Sequence, residues 1–328
     1  MIAKKHDRKF LKIIGKFLIG LLILLILLLA YGLIHEAILR KNYRSEYPAP
    51  GEIITIDNHD IHLNCVGEGS PTVVFEADLD QYGSMSWDPV QKEISKLTRA
   101  CSYDRAGILW SEPGSRPRDG ETIAAELKML LENAGEEGSY LLVGHGFGGA
   151  YLRIFAGKYP EDVAGMVLLE SSHPDMLTRF EEITGISQEI PDKQIRPLIL
   201  LLSNLGSPGR WKNNMYDVAP EIWNPVQAYF PQSSMTWFDE KVETSKTLAQ
   251  AAQYEYLGDF PLIVVASATP ITGEHGQELQ EMWIDLQHDL LSLSSNSEIR
   301  ELETGHYPQL QDPDLVIEAI QDVLENYQ

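Results

Sequence analysis

The chain has 328 residues, enough for one large α/β domain with an insertion and an ample hydrophobic core. Its formal net charge is −22 at pH 7, and residues 1–44 contribute +7 of that total through nine basic and two acidic residues, which leaves −29 for the remainder. A surface that acidic repels nucleic acid and anionic lipid headgroups, so the composition excludes a nucleic-acid-binding protein.

The N-terminal segment is apolar and flanked by basic residues. Residues 17–34 form an uncharged run of 18, about the minimum for a transmembrane helix and longer than a usual signal-peptide core. Six Lys or Arg precede the run and three follow it closely, which places the N-terminus in the cytoplasm. We predict a basic cytoplasmic segment at 1–12, a membrane anchor at 13–35 and a linker at 36–52. A cleaved signal peptide is the alternative, although Leu28 and Ala30 make a poor cleavage site.

Short β-branched runs then alternate with amphipathic segments up to residue 170 and again from residue 259. Such alternation predicts a parallel sheet that is covered on both faces. The predicted strands are 53–56, 61–65, 72–75, 100–103, 140–143, 163–169, 262–266 and 299–302, and the predicted helices are 87–97, 122–133, 149–158, 277–290 and 313–327.

The run YLLVGHGFGG at residues 140–149 predicts a buried strand, a tight glycine-flanked turn and a helix, the context that presents a nucleophilic serine. Two further motifs stand at strand ends: CSYDRAG at 101–107 with WS at 110–111, and GHY at 305–307. On these motifs the chain from about Ile53 onward resembles the α/β-hydrolase superfamily, in particular its bacterial membrane-anchored members. The resemblance implies an eight-stranded, mostly parallel sheet with helices on both faces, formed by residues 53–170 and 259–328.

The resemblance also implies a helical lid at 171–258, where the alternation stops. Large apolar side chains in this segment could line a substrate pocket or form the lid's own core. They are Trp211, Met215, Trp223, Tyr229, Phe230, Met235, Trp237 and Phe238.

The position of the family's nucleophile is occupied by Gly146, which supplies no hydroxyl. Glycine tolerates the strained backbone of that turn better than serine does, so the turn is expected to be retained while the chemistry is lost. His306 stands where the family keeps its general base. Glu170, at the end of the sixth strand, is the expected acid that orients His306, with Glu274 as the alternative.

The oxyanion donors implied by the resemblance are the backbone amides of Phe147 and Leu79. Asp78 and Asp80 flank Leu79 and would oppose an oxyanion there. His145 is expected to be a structural neighbour rather than a substitute nucleophile.

Three further positions follow the fourth strand. Asp104 and Arg105 could shape the floor of the site or pair with each other, and we favour the pairing. Ser111 is a hydroxyl outside any elbow, so we do not expect it to replace the missing nucleophile.

The family's usual strand order makes the second and fourth strands neighbours, and Cys65 and Cys101 fall on those strands. In an exported domain this arrangement implies a disulfide, with two buried free thiols as the alternative. The sequence contains no Cys/His ligand spacing, phosphate loop or dinucleotide motif, so no metal or cofactor is predicted.

Two functions remain. The first is a membrane-anchored, esterase-like hydrolase of a small or medium apolar substrate, impaired as it stands because Gly146 replaces the nucleophile. The second is a non-catalytic module that uses the lidded pocket to bind an apolar ligand or a protein.

Overall fold

The computed structural model of the chain describes residues 3–188, 193–206 and 218–327. The described residues contain every strand that the sequence predicts, all within one sheet. The strands are β1 Glu52–Ile56, β2 His59–Val66, β3 Thr72–Glu76, β4 Ala100–Tyr103, β5 Tyr140–His145, β6 Val163–Leu169, β7 Gly258–Ser267 and β8 Ser294–Leu302.

The sheet is mostly parallel, with the order β1-β2-β4-β3-β5-β6-β7-β8. The β1–β2 and β2–β4 pairs are antiparallel, and every later neighbour is parallel. Because the parallel strands end at the same edge, the loops that follow β3, β5, β6, β7 and β8 gather there. Cys65 and Cys101 are register partners on β2 and β4, and their sulfur atoms are bonded at 2.04 Å.

Helices cover both faces of the sheet. Along β5, Tyr140 and Leu142 face one core and Leu141 and Val143 face the other, as the two-residue period of a strand requires. The helices in the described residues are α1 Ala3–Glu46, α2 Asp88–Ile94, α3 Gly120–Asn133, α4 Phe147–Lys158, α5 Met176–Thr184, α6 Arg196–Asn204, α7 Pro220–Lys241, α8 Thr244–Ala251, α9 Gly276–Asp289, α10 Pro308–Gln311 and α11 Pro313–Tyr327. The predicted α/β-hydrolase fold, with its mostly parallel sheet, is therefore confirmed.

The segment between β6 and β7, which we predict to be a lid and call the lid below, contains α5 to α8 in its described residues. Trp223, Tyr229 and Phe230 are buried in a cluster with Tyr82 and Leu109, which lie outside the lid, so these aromatic residues pack the lid against the rest of the domain. Phe238 is also buried. Trp211 and Met215 lie outside the described residues.

The segment predicted as a linker differs from the expectation. Residues 36–46 continue α1 without a break, and Pro48 follows the end of the helix. The helix is held there by contacts with the lid: Arg40 donates a hydrogen bond to the carbonyl of Ser203 at 2.6 Å, and Tyr43 and Tyr47 pack against the aromatic cluster. The linker prediction failed because these contacts come from residues far along the chain.

Candidate active site

Gly146 forms the turn between β5 and α4, with φ 54° and ψ −124°. Its amide donates a hydrogen bond to the carbonyl of Leu169 at 3.0 Å, and its carbonyl accepts one from the amide of Ser172 at 2.9 Å. A positive φ is costly for a residue that carries a Cβ atom. Glycine therefore relieves the backbone strain that a side chain would impose at this elbow.

His306 lies beside Glu170, as the sequence predicts. Nδ1 of His306 is 3.8 Å from Oε2 of Glu170, within ion-pair range but longer than a hydrogen bond. The other oxygen of Glu170 accepts hydrogen bonds from the amide of Ser267 at 2.5 Å and from Nε1 of Trp283 at 3.1 Å. Glu274 is exposed and makes no ion pair with His306. The geometry thus brings Glu170, not Glu274, to the imidazole.

Asp78 occupies the space above the elbow. Its Oδ1 accepts a hydrogen bond from the amide of Phe147 at 2.7 Å, and its Oδ2 lies 3.7 Å from Nε2 of His306. A Cβ atom added at Gly146 would overlap Oδ1 and Cγ of Asp78 and would lie 2.7 Å from Oδ2. The carboxylate therefore fills the place of a nucleophilic side chain and also engages the amide that the sequence assigns to an oxyanion hole.

The charges of the three side chains depend on one another. Burial opposes a charge on His306, but the carboxylates of Asp78 and Glu170 outweigh burial and raise the pKa of its imidazole to about 10. Burial also disfavours the charged form of Asp78, yet His306 and the Phe147 amide outweigh burial and hold the pKa of that carboxyl well below its usual range. Half of the His306 side chain is exposed, so solvent screens part of the attraction. At neutral pH the site holds an imidazolium between two carboxylates.

We expect His306 to stay protonated well above pH 7. Its pKa in the unfolded chain is about 6.5, so the ion pairs stabilise the fold fully below that pH, and their contribution is lost as the pH rises through about 10. An NMR titration of the His306 ring protons measures this pKa directly. Asp78→Asn should lower the midpoint, whereas a midpoint near 6.5 in the unaltered chain would contradict the ion pairs.

Arg105 anchors the loop that carries Asp78. Its guanidinium donates to the carbonyls of Ala77 and Asp78 at 2.7 Å each, and it pairs with Glu76 at 2.8 Å and Glu240 at 2.9 Å. All three charged side chains are nearly fully buried. The lid, through Glu240, is thereby joined to the loop after β3.

The expected pairing of Asp104 with Arg105 is wrong. Asp104 instead contacts Nδ1 of His62 at 2.8 Å and accepts a hydrogen bond from the amide of Ser84. Arg105 is paired with Glu76 and Glu240 instead, so the two adjacent side chains have different partners.

Ser111 and His145 have structural partners. Oγ of Ser111 donates to the carbonyl of Asp104 at 2.6 Å and accepts a hydrogen bond from the amide of His62. Nε2 of His145 donates to the carbonyl of His306 at 2.6 Å, and burial lowers the pKa of its ring to about 4. His145 therefore positions the backbone of His306 as a neutral ring.

A metal ion is the other group that this cluster could hold. Ligand atoms of Asp78, His145 and His306 lie within 4.8 Å of one another. A metal binds the deprotonated imidazole, so the raised pKa of His306 opposes coordination at neutral pH.

A cavity of about 290 Å³ opens onto the elbow. Its walls include the two predicted oxyanion residues, Phe147 and Leu79, together with Trp237 and Lys241 from α7 and Trp283 from α9. A larger cavity of about 720 Å³, lined in part by Tyr229 and Met235, lies between α1 and the lid and contains none of the predicted catalytic residues. The smaller of these two cavities adjoins Gly146, Asp78 and His306. A further cavity of about 360 Å³ lies on the side of Glu170 and His306 that faces Trp283, and it does not include the elbow.

Sequence reasoning missed the position of Asp78 and the contributions of Lys241 and Trp283. From the sequence, Asp78 was expected only to oppose an oxyanion. Its occurrence together with a glycine at position 146 could have indicated that the carboxylate fills the place of the missing side chain. Lys241 and Trp283 carry no motif, because their proximity to the elbow depends on how the lid and α9 pack.

Comparisons with known proteins agree with this architecture. A sequence model of the alpha/beta hydrolase family matches residues 80–319. Uncharacterized protein YqjL of Bacillus subtilis is 27% identical over 276 residues, which cover 82% of this chain and 90% of that protein. A probable transporter, efuK, of Hormonema carpetanum is 23% identical over 305 residues, which cover 84% of this chain and 43% of that protein. The chain thus matches less than half of the length of this larger relative.

Solved structures show the same fold at low sequence identity. A putative acyltransferase from Salmonella enterica has a TM-score of 0.65 and 17% identity, covering 85% of this chain and 97% of that one. A thermophilic esterase from Thermogutta terrifontis has a TM-score of 0.59 and 16% identity, covering 84% and 98%. A variant of an epoxide hydrolase from Bacillus megaterium has a TM-score of 0.59 and 15% identity, covering 84% and 100%. The matching family model, which spans most of the sheet and the elbow, shows that this chain belongs to the alpha/beta hydrolase family.

Proposed function

We propose that this chain is a membrane-anchored hydrolase that acts outside the cytoplasm on a small or medium apolar substrate. One observation carries the proposal: His306, flanked by Glu170, lies at an elbow-side cavity of about 290 Å³ with Trp237 and Trp283 in its walls. An imidazole held by a carboxylate moves protons, and indole rings favour an apolar ligand.

The bond that is cleaved could lie at an acyl carbon or at a saturated carbon, since structural neighbours include an esterase and an epoxide hydrolase. The sequence motifs favour a carboxylic ester. A serine-ester route needs a hydroxyl at position 146, and loss of a triad nucleophile costs about 10⁶-fold in a serine protease. We therefore propose that the chain as it stands has no serine-type esterase activity.

The anchor is supported by α1. Its stretch from Phe10 to Glu46 is long and apolar enough to span a membrane, with a mean hydropathy of 3.0 over its best 18 residues. Beside it, α6 exposes Leu198, Leu200 and Leu201 to solvent. These leucines would be covered if α6 lay on the membrane surface. The excess of basic residues before the span favours a cytoplasmic N-terminus.

Activity assays of the purified full chain in detergent test the proposal. We expect hydrolysis of at least one of two apolar probes, p-nitrophenyl butyrate or 1,2-epoxyhexane, and loss of that activity in His306→Ala. The matched control is His275→Ala, which removes a histidine from an exposed position at the start of α9.

If neither probe is hydrolysed and an apolar ligand co-purifies with the chain, the hydrolase proposal is rejected. The function is then that of a non-catalytic binding module. Localisation is tested separately, by resistance of the chain to alkaline extraction from membranes and by its cleavage when protease is added outside intact cells.

A further inference from the structure

We propose that Asp78 is the nucleophile of this hydrolase and that its carboxylate attacks a saturated carbon of an apolar substrate, forming an alkyl ester on the enzyme. This inference rests on the proposed function and deepens it. The nucleophile would come from the loop after β3, while the elbow after β5 contributes the empty position and the Phe147 amide.

The carboxylate of Asp78 lies where a nucleophile at the elbow would lie. Its oxygens overlap the site at which a Cβ atom of residue 146 would stand, so Asp78 reaches the place to which the elbow normally lifts its own side chain. It borders the same cavity as Trp237 and Lys241 and is not sealed from it, with 14% of its side chain exposed. A substrate in that cavity would meet the carboxylate first.

The two carboxylate oxygens of Asp78 have different partners. Oδ1 is held by the amide of Phe147, whereas Oδ2 has His306 at 3.7 Å, longer than a hydrogen bond. Oδ2 is therefore the oxygen with the freer lone pairs. Oδ1, already on an amide donor, is placed to become the carbonyl oxygen of the ester.

The chemistry available to Asp78 selects the type of carbon. Its low pKa makes it a poor general base but keeps it ionised, which a nucleophile requires. Attack on an acyl carbon would need two amides for the oxyanion of the substrate, and Asp78 occupies the Phe147 amide, which leaves only the Leu79 amide of the predicted pair. Displacement at a saturated carbon creates no such oxyanion, so it is the reaction that the site permits.

With an apolar epoxide as the substrate, the first step opens the ring. Oδ2 of Asp78 forms a bond to a ring carbon, the carbon–oxygen bond of the ring breaks, and its electron pair stays on the ring oxygen. The His306 imidazolium gives its Nε2 proton to that oxygen. The products are an alkyl ester of Asp78, a hydroxyl group and a neutral imidazole.

The second step restores the enzyme. Neutral His306 takes a proton from water, and the resulting hydroxide attacks Cγ of Asp78. The negative charge develops on Oδ1, where the Phe147 amide donates its hydrogen bond. The tetrahedral centre then expels the alkoxide, which takes up the proton from the new carboxyl group, leaving ionised Asp78, protonated His306 and a diol.

Incorporation of ¹⁸O from labelled water into the carboxyl group of Asp78 tests the inference. The full chain is allowed to turn over 1,2-epoxyhexane many times in H₂¹⁸O, digested, and its peptides are analysed by mass spectrometry. We expect ¹⁸O in the carboxyl group of Asp78 and none in Asp80. Diol formation without label in Asp78 overturns the inference and leaves the proposed function standing. Absence of diol also overturns the inference, and ester hydrolysis in the same preparation then decides the proposed function.

A trapping variant gives an independent measurement. His306→Gln cannot activate water, and displacement of bromide from an alkyl bromide needs no proton donor, since bromide leaves as the anion. With 1-bromohexane in place of the epoxide, the variant should therefore accumulate Asp78 carrying one hexyl group. The adduct should be absent from the double variant with Asp78→Asn, and Asp88→Asn, which alters a carboxylate on α2 outside the cavity, should leave turnover unchanged. Circular dichroism confirms that each variant is folded. An adduct on another residue, or none in a folded His306→Gln chain, contradicts the assignment.

Discussion

Replacing Asp78 by glycine and Gly146 by serine in one chain is expected to create serine-type esterase activity that neither substitution creates alone. The double variant would place a hydroxyl on the elbow, within the reach of His306, and would release the Phe147 amide to act as an oxyanion donor. The gain in kcat/KM on p-nitrophenyl butyrate should span several orders of magnitude, with about 10⁶ as the upper bound from a serine protease.

The single variants separate the two requirements. Serine at 146 in the presence of Asp78 would overlap the carboxylate and adopt a strained positive φ. Glycine at 78 frees the amide but supplies no nucleophile. Adding His306→Ala to the double variant should remove the new activity. If Gly146→Ser alone were as active as the double variant, Asp78 would not block the elbow.

Arg105→Met is expected to lower the free energy of unfolding by about 3–5 kcal/mol, the range found when one partner of a buried ion pair is removed. The variant would leave Glu76 and Glu240 buried without their cation, and two loop carbonyls without their donor. Urea denaturation in detergent measures the change. The control is Arg179→Met, whose exposed pair with Asp285 should contribute less than about 1 kcal/mol.

The effect of Arg105→Met should depend on pH. Burial raises the pKa of Glu76 to about 7 even with Arg105 present. A raised carboxyl pKa means that the charged form destabilises the fold, so the penalty should grow as the pH rises and shrink as Glu76 becomes protonated. A penalty that is the same at pH 6 and pH 8 would show that Glu76 is not the charge left unpaired.

Local sequence was sufficient for the secondary structure of the α/β domain. The short β-branched runs, the glycine-rich turn at 144–149 and the amphipathic helices each carry a signal within a few residues, and the observed strands and helices follow those signals. The strand ends that carry the elbow, Glu170 and His306 were predictable for the same reason, and the resemblance to the family then indicated which residues at those ends form the candidate site.

Two features depended on contacts between distant segments. The helical conformation of residues 36–46 accompanies packing against the lid, which no local pattern reveals. The position of Asp78 above Gly146 depends on the register of β3 against β5. Glu76 pairs with Gly144 in that parallel ladder, so the chain two residues further along each strand brings position 78 over position 146. Sequence determined which residues stand at the ends of the strands, and strand pairing decided which of them share one reactive space.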